Sequence, residues 1–384
     1  MEKKKVGIIT IVKVNNYGAE LQAYATQRKL NLMGYDAEII DYLYYRNPSH
    51  IAEAESRPFY PYPLKNRVKE MGLKLIDALN ALRKSPAQKR REANFDNFHS
   101  KYNRFSAKLF RRHSELFGNP PAYDAYCVGS DQVWNPRCYT NLDAYFLNFA
   151  PVGKPRFSYA SSFGVKAVPE SAHEPYARLL SKMDHVSVRE SSGIDIVRSL
   201  TGKDAQLVAD PTLLLNRDEW QAVAEPVSGL PERYVLVYEL RNLPYLMDVA
   251  RRIATQRGIK IVRICKDTRS AIGGDDSIVN ITEAGPSNFI YLFDHAECVV
   301  TNSFHGTAFS VNFNKELFCV LSATATNNGR QESLLARVGL SDRIIYDNAP
   351  RDPNAMPAPD YAAAEQRLAE LRDESVAYIK SALK

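Results

Sequence analysis

The feature that most constrains the fold is a series of short segments that are apolar at nearly every position. Residues 6–12 form the first of them, and residues 298–301 and 317–321 form a later pair. A strand that is apolar throughout, rather than at every second position, is typical of a parallel sheet buried on both faces. Because helix-forming segments lie between these runs, the sequence predicts an α/β protein.

The chain is long enough for more than one domain. At 384 residues, two domains are favoured over one. We predict a Rossmann-like N-terminal domain over residues 1–215, a second Rossmann-like domain over 216–347, and a linker with a C-terminal helix over 348–384. If that helix packs back on the body, the architecture is GT-B-like, with the active site expected between the two halves.

Composition and segment lengths exclude several classes of protein. With 45% apolar and 24% charged residues, the chain has the balance of an ordinary globular protein. Since it has no run of eighteen apolar residues and its first residues lead directly into a strand, we expect no membrane span, no secretory signal and a cytoplasmic location. The five cysteines show no CxxC spacing, so we expect reduced core residues and no metal site.

One segment is strongly basic. Residues 65–112 contain fourteen Lys or Arg and four Asp or Glu, a net charge of +10 in a chain whose total is +6. This segment is either a solvated helical face or a platform for an anionic surface, such as a bilayer leaflet or a diphosphate-linked substrate. The segment contains no known nucleic-acid-binding motif, so we expect no nucleic-acid partner.

Three predicted strands of the N-terminal domain each end in a small polar turn. Because parallel strands present their carboxyl ends at one edge of a sheet, where ligands bind, these turns predict a shared cleft. The candidate residues in the turns are Asn16, Tyr17, Gly18, Ser130, Asp131, Gln132 and Ser161. The first turn has only one glycine, so it is not a dinucleotide fingerprint, and no P-loop is present.

Two charged residues in this domain have alternative roles. Asp131 either caps a helix or acts on a substrate hydroxyl. Arg189, at the end of a predicted strand over 184–190, either forms a salt bridge with Glu190 or another neighbour, or binds a phosphate or carboxylate through its planar fork. Residues 207–215 are predicted as the last strand of the domain.

The C-terminal domain has its own candidate site just after the predicted strand 298–301. His305 is either a hydrogen-bonded turn residue or faces a ligand at the strand end. Gly306 would let the backbone approach that ligand, and the amides that start the following helix would bind an anion. Arg330 precedes another predicted helix and either faces the same cleft or lies at the helix surface. The neighbouring candidates are Asn302, Ser303 and Thr307.

Six motifs occur together and in a fixed order along the chain. They are NYGAELQAY (16–24), VGSDQVWN (128–135), SYASSFG (158–164), VRE (188–190), ADPT (209–212) and TNSFHG (301–306). Together they resemble the polysaccharide pyruvyltransferase family. The resemblance implies a GT-B-like fold, phosphoenolpyruvate as donor, and an acceptor sugar from a surface or capsular polysaccharide pathway. It also implies that His305 is central to the site and that Arg189 is one of the cations holding the donor.

In one position this chain departs from the family pattern. Other branches carry an arginine two residues before the histidine, where this chain has Ser303. We therefore expect another cation, Arg330, to meet the donor's negative charges.

The chemistry of ketal formation suggests a role for each candidate. A proton adds to C3 of phosphoenolpyruvate, a sugar hydroxyl adds to C2, phosphate leaves, and a second hydroxyl closes the ring. An imidazole can give or take a proton near neutral pH, so His305 is the expected acid and Asp131 the expected base. The donor-binding candidates are Arg189, Arg330, Ser303, Gly306, Thr307 and Asn302, and the acceptor-binding candidates are Asn16, Tyr17, Gly18, Ser130, Gln132 and Ser161.

Phosphoenolpyruvate is a co-substrate in this scheme, and no cofactor is expected. The acceptor is a sugar or a lipid-diphosphate-linked oligosaccharide. A lipid-linked acceptor would explain the basic segment 65–112 and a peripheral contact with the inner face of the membrane.

Two other functions fit the same sequence. A GT-B glycosyltransferase would bind UDP or GDP tightly, whereas a pyruvyltransferase would release phosphate from phosphoenolpyruvate when a sugar acceptor is present. A non-catalytic sugar-binding protein with this fold would have no turnover to lose on replacement of His305.

Overall fold

The computed structural model describes residues 3–53, 68, 72, 84–138, 140–265 and 270–384. The chain packs into two compact units. The first unit comprises Met1–Lys84, His99–Leu214 and Arg372–Lys384, and the second comprises Ser85–Phe98 and Leu215–Leu371. Apart from residues 68 and 72, the part of the predicted basic platform between residues 65 and 83 lies outside the described residues.

The first unit is built on a parallel sheet. Its strands are β1 (Lys5–Ile9), β2 (Asp36–Ile39), β3 (Ala125–Val128) and β4 (Arg156–Ser158), in the order β2-β1-β3-β4, followed in the chain by a parallel pair, β5 (Ser187–Val188) and β6 (Gln206–Leu207). Single bridges join β4 and the residues after it to the pair, for example between Ser161 and Val188. Because β2 and β3 lie on opposite sides of β1, the topological switch point of this sheet lies between β1 and β3.

Short helices and turns cover this sheet. The helices of this unit are α1 (Tyr17–Leu32), α3 (His113–Gly118), α4 (His173–Leu180), α5 (Ser191–Thr201) and α6 (Pro211–Leu214), with 3-10 turns at Asp143–Phe146 and Glu170–Ala172. Helix α2 (Pro86–Tyr102) belongs to the second unit up to Phe98 and to the first from His99 onward. In the core, the Trp134 and Phe146 rings stack with their centroids 5.2 Å apart. Both side chains are fully buried, so the loop after β3 is anchored by aromatic packing.

The predicted strand over 207–215 is wrong. β6 ends at Leu207, and Pro211–Leu214 forms helix α6. The carboxylate of Asp210 accepts hydrogen bonds from the backbone N–H of Thr212 at 3.0 Å and from its hydroxyl at 2.7 Å. Proline is favourable at the first position of a helix because its missing N–H would have no partner there. Proline therefore starts a helix at this point.

The second unit contains six parallel strands. They are β7 (Tyr234–Tyr238), β8 (Lys260–Ile264), β9 (Ile278–Ile281), β10 (Cys298–Thr301), β11 (Glu316–Leu321) and β12 (Ile344–Tyr346), in the order β12-β11-β10-β7-β8-β9. Counted within the unit, this is the doubly wound order 3-2-1-4-5-6 read in reverse, and its switch point lies between β7 and β10. The predicted α/β class with parallel sheets is confirmed.

The helices of the second unit begin and end at recognisable signals. They are α7 (Arg217–Gln221), α8 (Pro244–Arg257), α9 (Pro286–His295), α10 (Phe304–Asn312), α11 (Gly329–Arg337) and α12 (Tyr361–Ala382), with 3-10 turns at Ser341–Arg343 and Pro353–Ala355. Helix α8 has Pro244 in its first turn and ends at Gly258, whose φ of 63° favours glycine. No helix in the described segments combines the length and apolar character needed to cross a bilayer.

The C-terminal helix α12 contributes to both units. Its residues up to Leu371 belong to the second unit, and those from Arg372 onward belong to the first. Within the first unit, the Ser375 hydroxyl accepts a hydrogen bond from the backbone N–H of Ala209 at 2.9 Å. The Tyr378 hydroxyl donates to the backbone carbonyl of Ser158 at 2.7 Å. The last turns of the chain are thereby attached to strand β4 and to the segment after β6.

Candidate functional site

The side chain of Asn302 links the loops that follow the carboxyl ends of β7 and β10. The carboxamide oxygen of Asn302 accepts a hydrogen bond from the backbone N–H of Leu240 at 2.8 Å. Its nitrogen donates to the backbone carbonyl of Arg241, also at 2.8 Å. Asn302 therefore fixes the two loops that flank the switch point of the second sheet, where ligands of such folds bind.

A pocket of about 340 Å³ opens at this switch point, entirely within the second unit. The loops after β7, β10 and β11 and the first turn of α11 line it. Its lining includes Leu240, Arg241, Asn302, Phe304, Arg330 and Gln331. Two of the described lining residues are arginines, and none of the described lining residues is an Asp or Glu. A concave site of this size with two cations and no acid is suited to a small anion.

Arg330 is the more buried of the two arginines, with 9% of its surface exposed. Its guanidinium carbon lies 6.0 Å from the centre of the Phe304 ring, which is within the range of a cation–π contact. The adjacent Gln331 donates a hydrogen bond to the backbone carbonyl of Asn302 at 3.0 Å. The first turn of α11 is thus fixed against the loop after β10, so Arg330 is held in place before any ligand arrives.

His305 lies in the first turn of helix α10 rather than in a loop before it. The Ser303 hydroxyl caps this helix by accepting a hydrogen bond from the backbone N–H of Gly306 at 3.2 Å. The backbone N–H of Thr307 donates to the backbone carbonyl of Ser303 at 2.9 Å. Both predicted anion-binding amides are therefore used within the helix, and the Ser303 hydroxyl serves as the cap.

The imidazole of His305 packs against Phe304, which lines the pocket, and His305 is not itself among the described lining residues. Only 8% of the residue is exposed, and its ring lies edge-on to the Phe304 ring with centroids 5.1 Å apart. Phe304 thus contacts both His305 and Arg330. Phe304 was not among the residues predicted for the site, although an aromatic residue directly before the histidine is a usable signal. The structure brings a proton-carrying group and a cation around one aromatic ring.

The reason for a glycine at position 306 differs from the expected one. A Cβ atom there would lie 2.4 Å from the Thr301 hydroxyl oxygen and 3.1 Å from its Cβ. That hydroxyl donates to the backbone carbonyl of Tyr238 at 2.6 Å and accepts from the backbone N–H of Ser303 at 3.0 Å. Gly306 therefore allows helix α10 to pack on the end of β10.

Replacing Gly306 with alanine is expected to destabilise the second unit by about 1–3 kcal/mol, because the added methyl group overpacks a fully buried site. Urea unfolding measures this loss. Gly329→Ala is the matched control, since that glycine also lies in the first turn of a helix of the same unit and its Cβ would meet no atom within 4 Å. Equal midpoints for the two variants would contradict the packing explanation.

In the first unit, Arg189 is the centre of a buried ion cluster. Its side chain is fully buried and contacts the carboxylates of Asp131 at 3.1 Å, Asp210 at 2.9 Å and Glu190 at 3.7 Å. Burial lowers the pKa of Arg189, but attraction to the three carboxylates outweighs this effect and raises it above its usual range. With three carboxylates around one guanidinium, these contacts favour the salt-bridge alternative and give no support to a donor-binding role.

Two of the predicted acceptor-binding residues lie inside this part of the unit. Ser130 and Ser161 are fully buried. The Ser130 hydroxyl lies 2.9 Å from an oxygen of Asp210, and the Ser161 hydroxyl donates to the backbone carbonyl of Gly129 at 2.9 Å. The Ser130 hydroxyl also lies 2.8 Å from the backbone carbonyl oxygen of Ala160, so both hydroxyls link the loops after β3 and β4.

Asp131 is the member of the cluster that reaches the surface. Its side chain is 15% exposed, against 0% for Asp210 and 2% for Glu190. Its φ of 68° lies in the left-handed region, which aspartate tolerates better than most residues. The adjacent Gln132 accepts a hydrogen bond from the Asn135 side chain at 2.6 Å. The loop after β3 thus exposes the carboxylate of Asp131 to solvent, while the buried guanidinium of Arg189 forms an ion pair with it.

The predicted ligand-binding residues after β1 lie at the start of helix α1, where Asn16 is the N-cap and Tyr17 and Gly18 are in the first turn. The Asn16 side chain caps the helix by accepting from the backbone N–H of Ala19 at 3.2 Å. Tyr17 and Gly18 are buried in the first turn. Asn16 is exposed and is the only one of these three that could meet a ligand without a rearrangement.

Several charged residues stabilise the loop between β1 and α1, and the sequence analysis did not select them. Glu20 is fully buried, accepts from the backbone N–H of Val14 at 3.1 Å and lies 2.7 Å from the imidazole of His99. Lys13 pairs with Asp41 at 2.7 Å. Lys13 and Asp41 follow the neighbouring strands β1 and β2, so their positions after two strand ends were a usable signal.

Within the described part of the chain, no group of three or more His, Cys, Asp or Glu side chains is arranged to hold a metal ion. The cysteines are buried free thiols: Cys127, Cys138, Cys265, Cys298 and Cys319.

The family model for polysaccharide pyruvyl transferase matches residues 16–323. The chain belongs to this family. Comparison with curated proteins yields no sequence match. The matched residues of the pyruvyl transferase model include Asp131, Arg189 and His305 but end before Arg330, so the assignment of Arg330 depends on the geometry of the pocket.

Several solved structures are similar over nearly the whole chain. The glycotransferase of kitacinnamycin is 13% identical, with a TM-score of 0.49 and coverage of 99% of this chain and 97% of that one. The UDP-N-acetylglucosamine 2-epimerase from Rickettsia bellii is 11% identical, with a TM-score of 0.47 and coverage of 99% and 98%. The α,α-trehalose 6-phosphate synthase from Burkholderia multivorans is 11% identical, with a TM-score of 0.49 and coverage of 99% of both chains. Similarity at this level concerns the fold alone.

Proposed function

We propose that this pyruvyl transferase moves the enolpyruvyl group of phosphoenolpyruvate onto two hydroxyls of one sugar, forming a pyruvate ketal. The observation that best supports this is the pocket at the switch point of the second sheet, which has two arginines and no described acidic residue in its lining. Phosphoenolpyruvate carries a carboxylate and a phosphate, and a guanidinium binds either group through two parallel hydrogen bonds.

The two arginines have different parts in this proposal. Arg330 is buried and fixed, so it binds one anionic group without a large loss of side-chain freedom. Arg241 is exposed at the mouth of the pocket, on the loop that Asn302 holds, and it approaches the second anionic group. Together they replace the cation that other branches of the family carry at the position of Ser303.

The remaining predicted donor-binding residues act indirectly. Asn302 uses both ends of its carboxamide to hold the loop after β7. Ser303, Gly306 and Thr307 form the cap of α10 and so fix the helix that carries His305. They position the site, and charge-assisted bonds from the arginines, each worth roughly 1.5–3 kcal/mol, supply the affinity.

The reaction proceeds in two additions. His305 gives a proton to C3 of the donor while a sugar hydroxyl adds to C2, and Asp131 takes the proton of that hydroxyl. The C2–O bond to phosphate breaks, and the phosphate leaves with the proton that Asp131 took. A second hydroxyl of the same sugar then adds to C2 to close the ketal and returns a proton to His305. One molecule of phosphoenolpyruvate and one diol thus give one ketal and one phosphate. The scheme uses no redox step and no cofactor.

The acceptor belongs to a surface or capsular polysaccharide pathway in this proposal, either as a free sugar or as a lipid-diphosphate-linked oligosaccharide. A cytoplasmic enzyme acting on a lipid-linked acceptor works at the inner face of the membrane. The net charge of +10 over residues 65–112 supports such a contact, since basic segments are attracted to anionic leaflets.

Phosphoenolpyruvate is expected to raise the melting temperature of the protein, whereas UDP-sugars and GDP-sugars are not. At a hundred times its dissociation constant, a ligand stabilises the folded state by about 2.7 kcal/mol. Replacing Arg330 or Arg241 with glutamine should weaken phosphoenolpyruvate binding by roughly tenfold or more, because each change removes a charge-assisted contact. Thermal shift titration measures both effects.

Arg252→Gln is the control for these variants, since Arg252 is an exposed arginine on helix α8 of the same unit and does not line the pocket. If UDP-sugars stabilise the protein and phosphoenolpyruvate does not, the glycosyltransferase alternative is correct. If neither ligand binds, the non-catalytic alternative is favoured.

A further inference from the structure

A second pocket lies at the opposite edge of the first sheet. It has a volume of about 340 Å³ and is lined by residues before β1, the second half of α1, the start of β2 and the segment 102–104, all within the first unit. These are the amino ends of the strands. The predicted loops with Asn16, Asp131 and Ser161 follow the carboxyl ends, so the proposed reaction makes no use of this pocket.

The pocket carries an excess of positive charge. Its charged lining residues are Lys3, Arg28, Arg104 and Asp36. Arg104 forms an ion pair with Asp36, so these two largely neutralise each other. Lys3 and Arg28 are exposed, and neither forms an ion pair with any residue of the described segments. Two cations are therefore available to an anion that enters.

The other walls are aromatic and fixed. Three tyrosines line the pocket, and the rings of two of them, Tyr24 and Tyr102, meet edge to face with centroids 6.1 Å apart. Gln27 donates to the backbone carbonyl of Arg104 at 2.6 Å and accepts from its backbone N–H at 2.9 Å. Aromatic walls with a few polar groups are typical of small-molecule sites, and the reciprocal bonds fix the Gln27 side chain in the wall of this one.

We propose that this pocket is a second ligand site, which binds a phosphate ester attached to a sugar-like ring. Lys3 and Arg28 bind the phosphate, and the tyrosines contact the ring. The phosphate belongs either to a soluble sugar phosphate or to the headgroup of a bilayer lipid, since both present the same chemistry. The site is independent of the donor pocket and adds a substrate-recruiting or effector-binding function to the protein.

The cations have one competing explanation. Arg28 lies near the carboxyl end of α1, where positive side chains stabilise a helix by interacting with its dipole. That role requires no ligand. It predicts a loss of stability on neutralising Arg28 and no change in binding, which a titration and a melting curve distinguish.

The test compares the wild-type protein with the double variant Lys3→Gln/Arg28→Gln. Calorimetric titration uses glucose 1-phosphate, with glucose as the uncharged probe. Sedimentation uses phosphatidylcholine vesicles with and without phosphatidylinositol, whose headgroup is a phosphate ester of a sugar-like ring. The matched control is Lys166→Gln/Arg178→Gln, which also removes one exposed lysine and one exposed arginine from the first unit. A parallel titration in the Arg330→Gln background separates this site from the donor pocket.

We expect glucose 1-phosphate or anionic vesicles to bind the wild type and the control equally, and the double variant roughly tenfold or more weakly. Affinity for the sugar phosphate assigns the soluble source, and affinity for vesicles alone assigns the headgroup. Arg330→Gln should leave this binding unchanged. Equal binding by the double variant, an equal loss in the control, loss in the Arg330→Gln background, or no binding of either probe to the wild type would overturn the proposal.

Discussion

Replacing His305 with glutamine is expected to lower acceptor-dependent phosphate release from phosphoenolpyruvate by roughly 10²–10⁴-fold, the usual contribution of a general acid or base. Glutamine is polar and close in size to histidine, but it cannot carry a proton to C3 of the donor. The side chain is mostly buried beside Phe304, and the helix around it is held by the Ser303 cap. The melting curve should therefore stay close to that of the wild type.

His295→Gln provides the control for this variant. His295 lies in the last turn of helix α9 in the same unit, its side chain is 49% exposed, and its ring contacts the backbone carbonyl of Tyr291 at 3.0 Å. Its replacement should change neither turnover nor stability. Retained turnover in His305→Gln would remove this histidine from the mechanism. A fall in turnover matched by a fall in melting temperature would identify it as a structural residue.

The alternation of strands and helices could be predicted because most of the strands are continuously apolar. β7 and β10 are buried at every position, and both are evident in the sequence. β9 and β12 were missed. β9 has one buried and three partly exposed residues, and β12 is three residues long, so neither has the apolar run that marks a central strand. Edge strands of a parallel sheet give weaker sequence signals than central ones.

Candidate site residues could be predicted from the sequence where they directly follow a predicted strand. Residues that come together only through the fold could not be predicted in this way. The rule that ligands lie at strand carboxyl ends selected Asn302, His305 and Arg330. Arg241 follows another strand of the same sheet, but its loop has no motif, and only the structure brings it to the same pocket. Of the carboxylates around Arg189, Glu190 is its neighbour in the sequence, but Asp131 and Asp210 come from two other segments of the chain. No local pattern shows that these two meet the arginine.

Replacing Arg189 with methionine is expected to lower the free energy of unfolding of the first unit by about 3–5 kcal/mol, because it leaves carboxylates buried without their cation. Arg189→Lys should lose less, since it keeps the charge but loses the planar fork that reaches Asp131 and Asp210 together. Arg189→Met/Asp210→Asn should recover part of the loss, because one uncompensated charge is removed. Urea unfolding followed by circular dichroism measures all three.

Arg178→Met is the matched control, because it removes an exposed arginine whose partner is Glu174, one turn earlier on helix α4, at 3.7 Å. Exposed pairs of this kind contribute at most about 1 kcal/mol, so its midpoint should be close to the wild type. The same variants also test the donor-binding role implied by the family resemblance. An Arg189→Met protein that unfolds at the wild-type midpoint but no longer binds phosphoenolpyruvate would show that Arg189 contacts the donor. A destabilised Arg189→Met protein that still binds phosphoenolpyruvate at low temperature would instead show that the arginine has a structural role, as the cation that joins the carboxylates of Asp131 and Asp210.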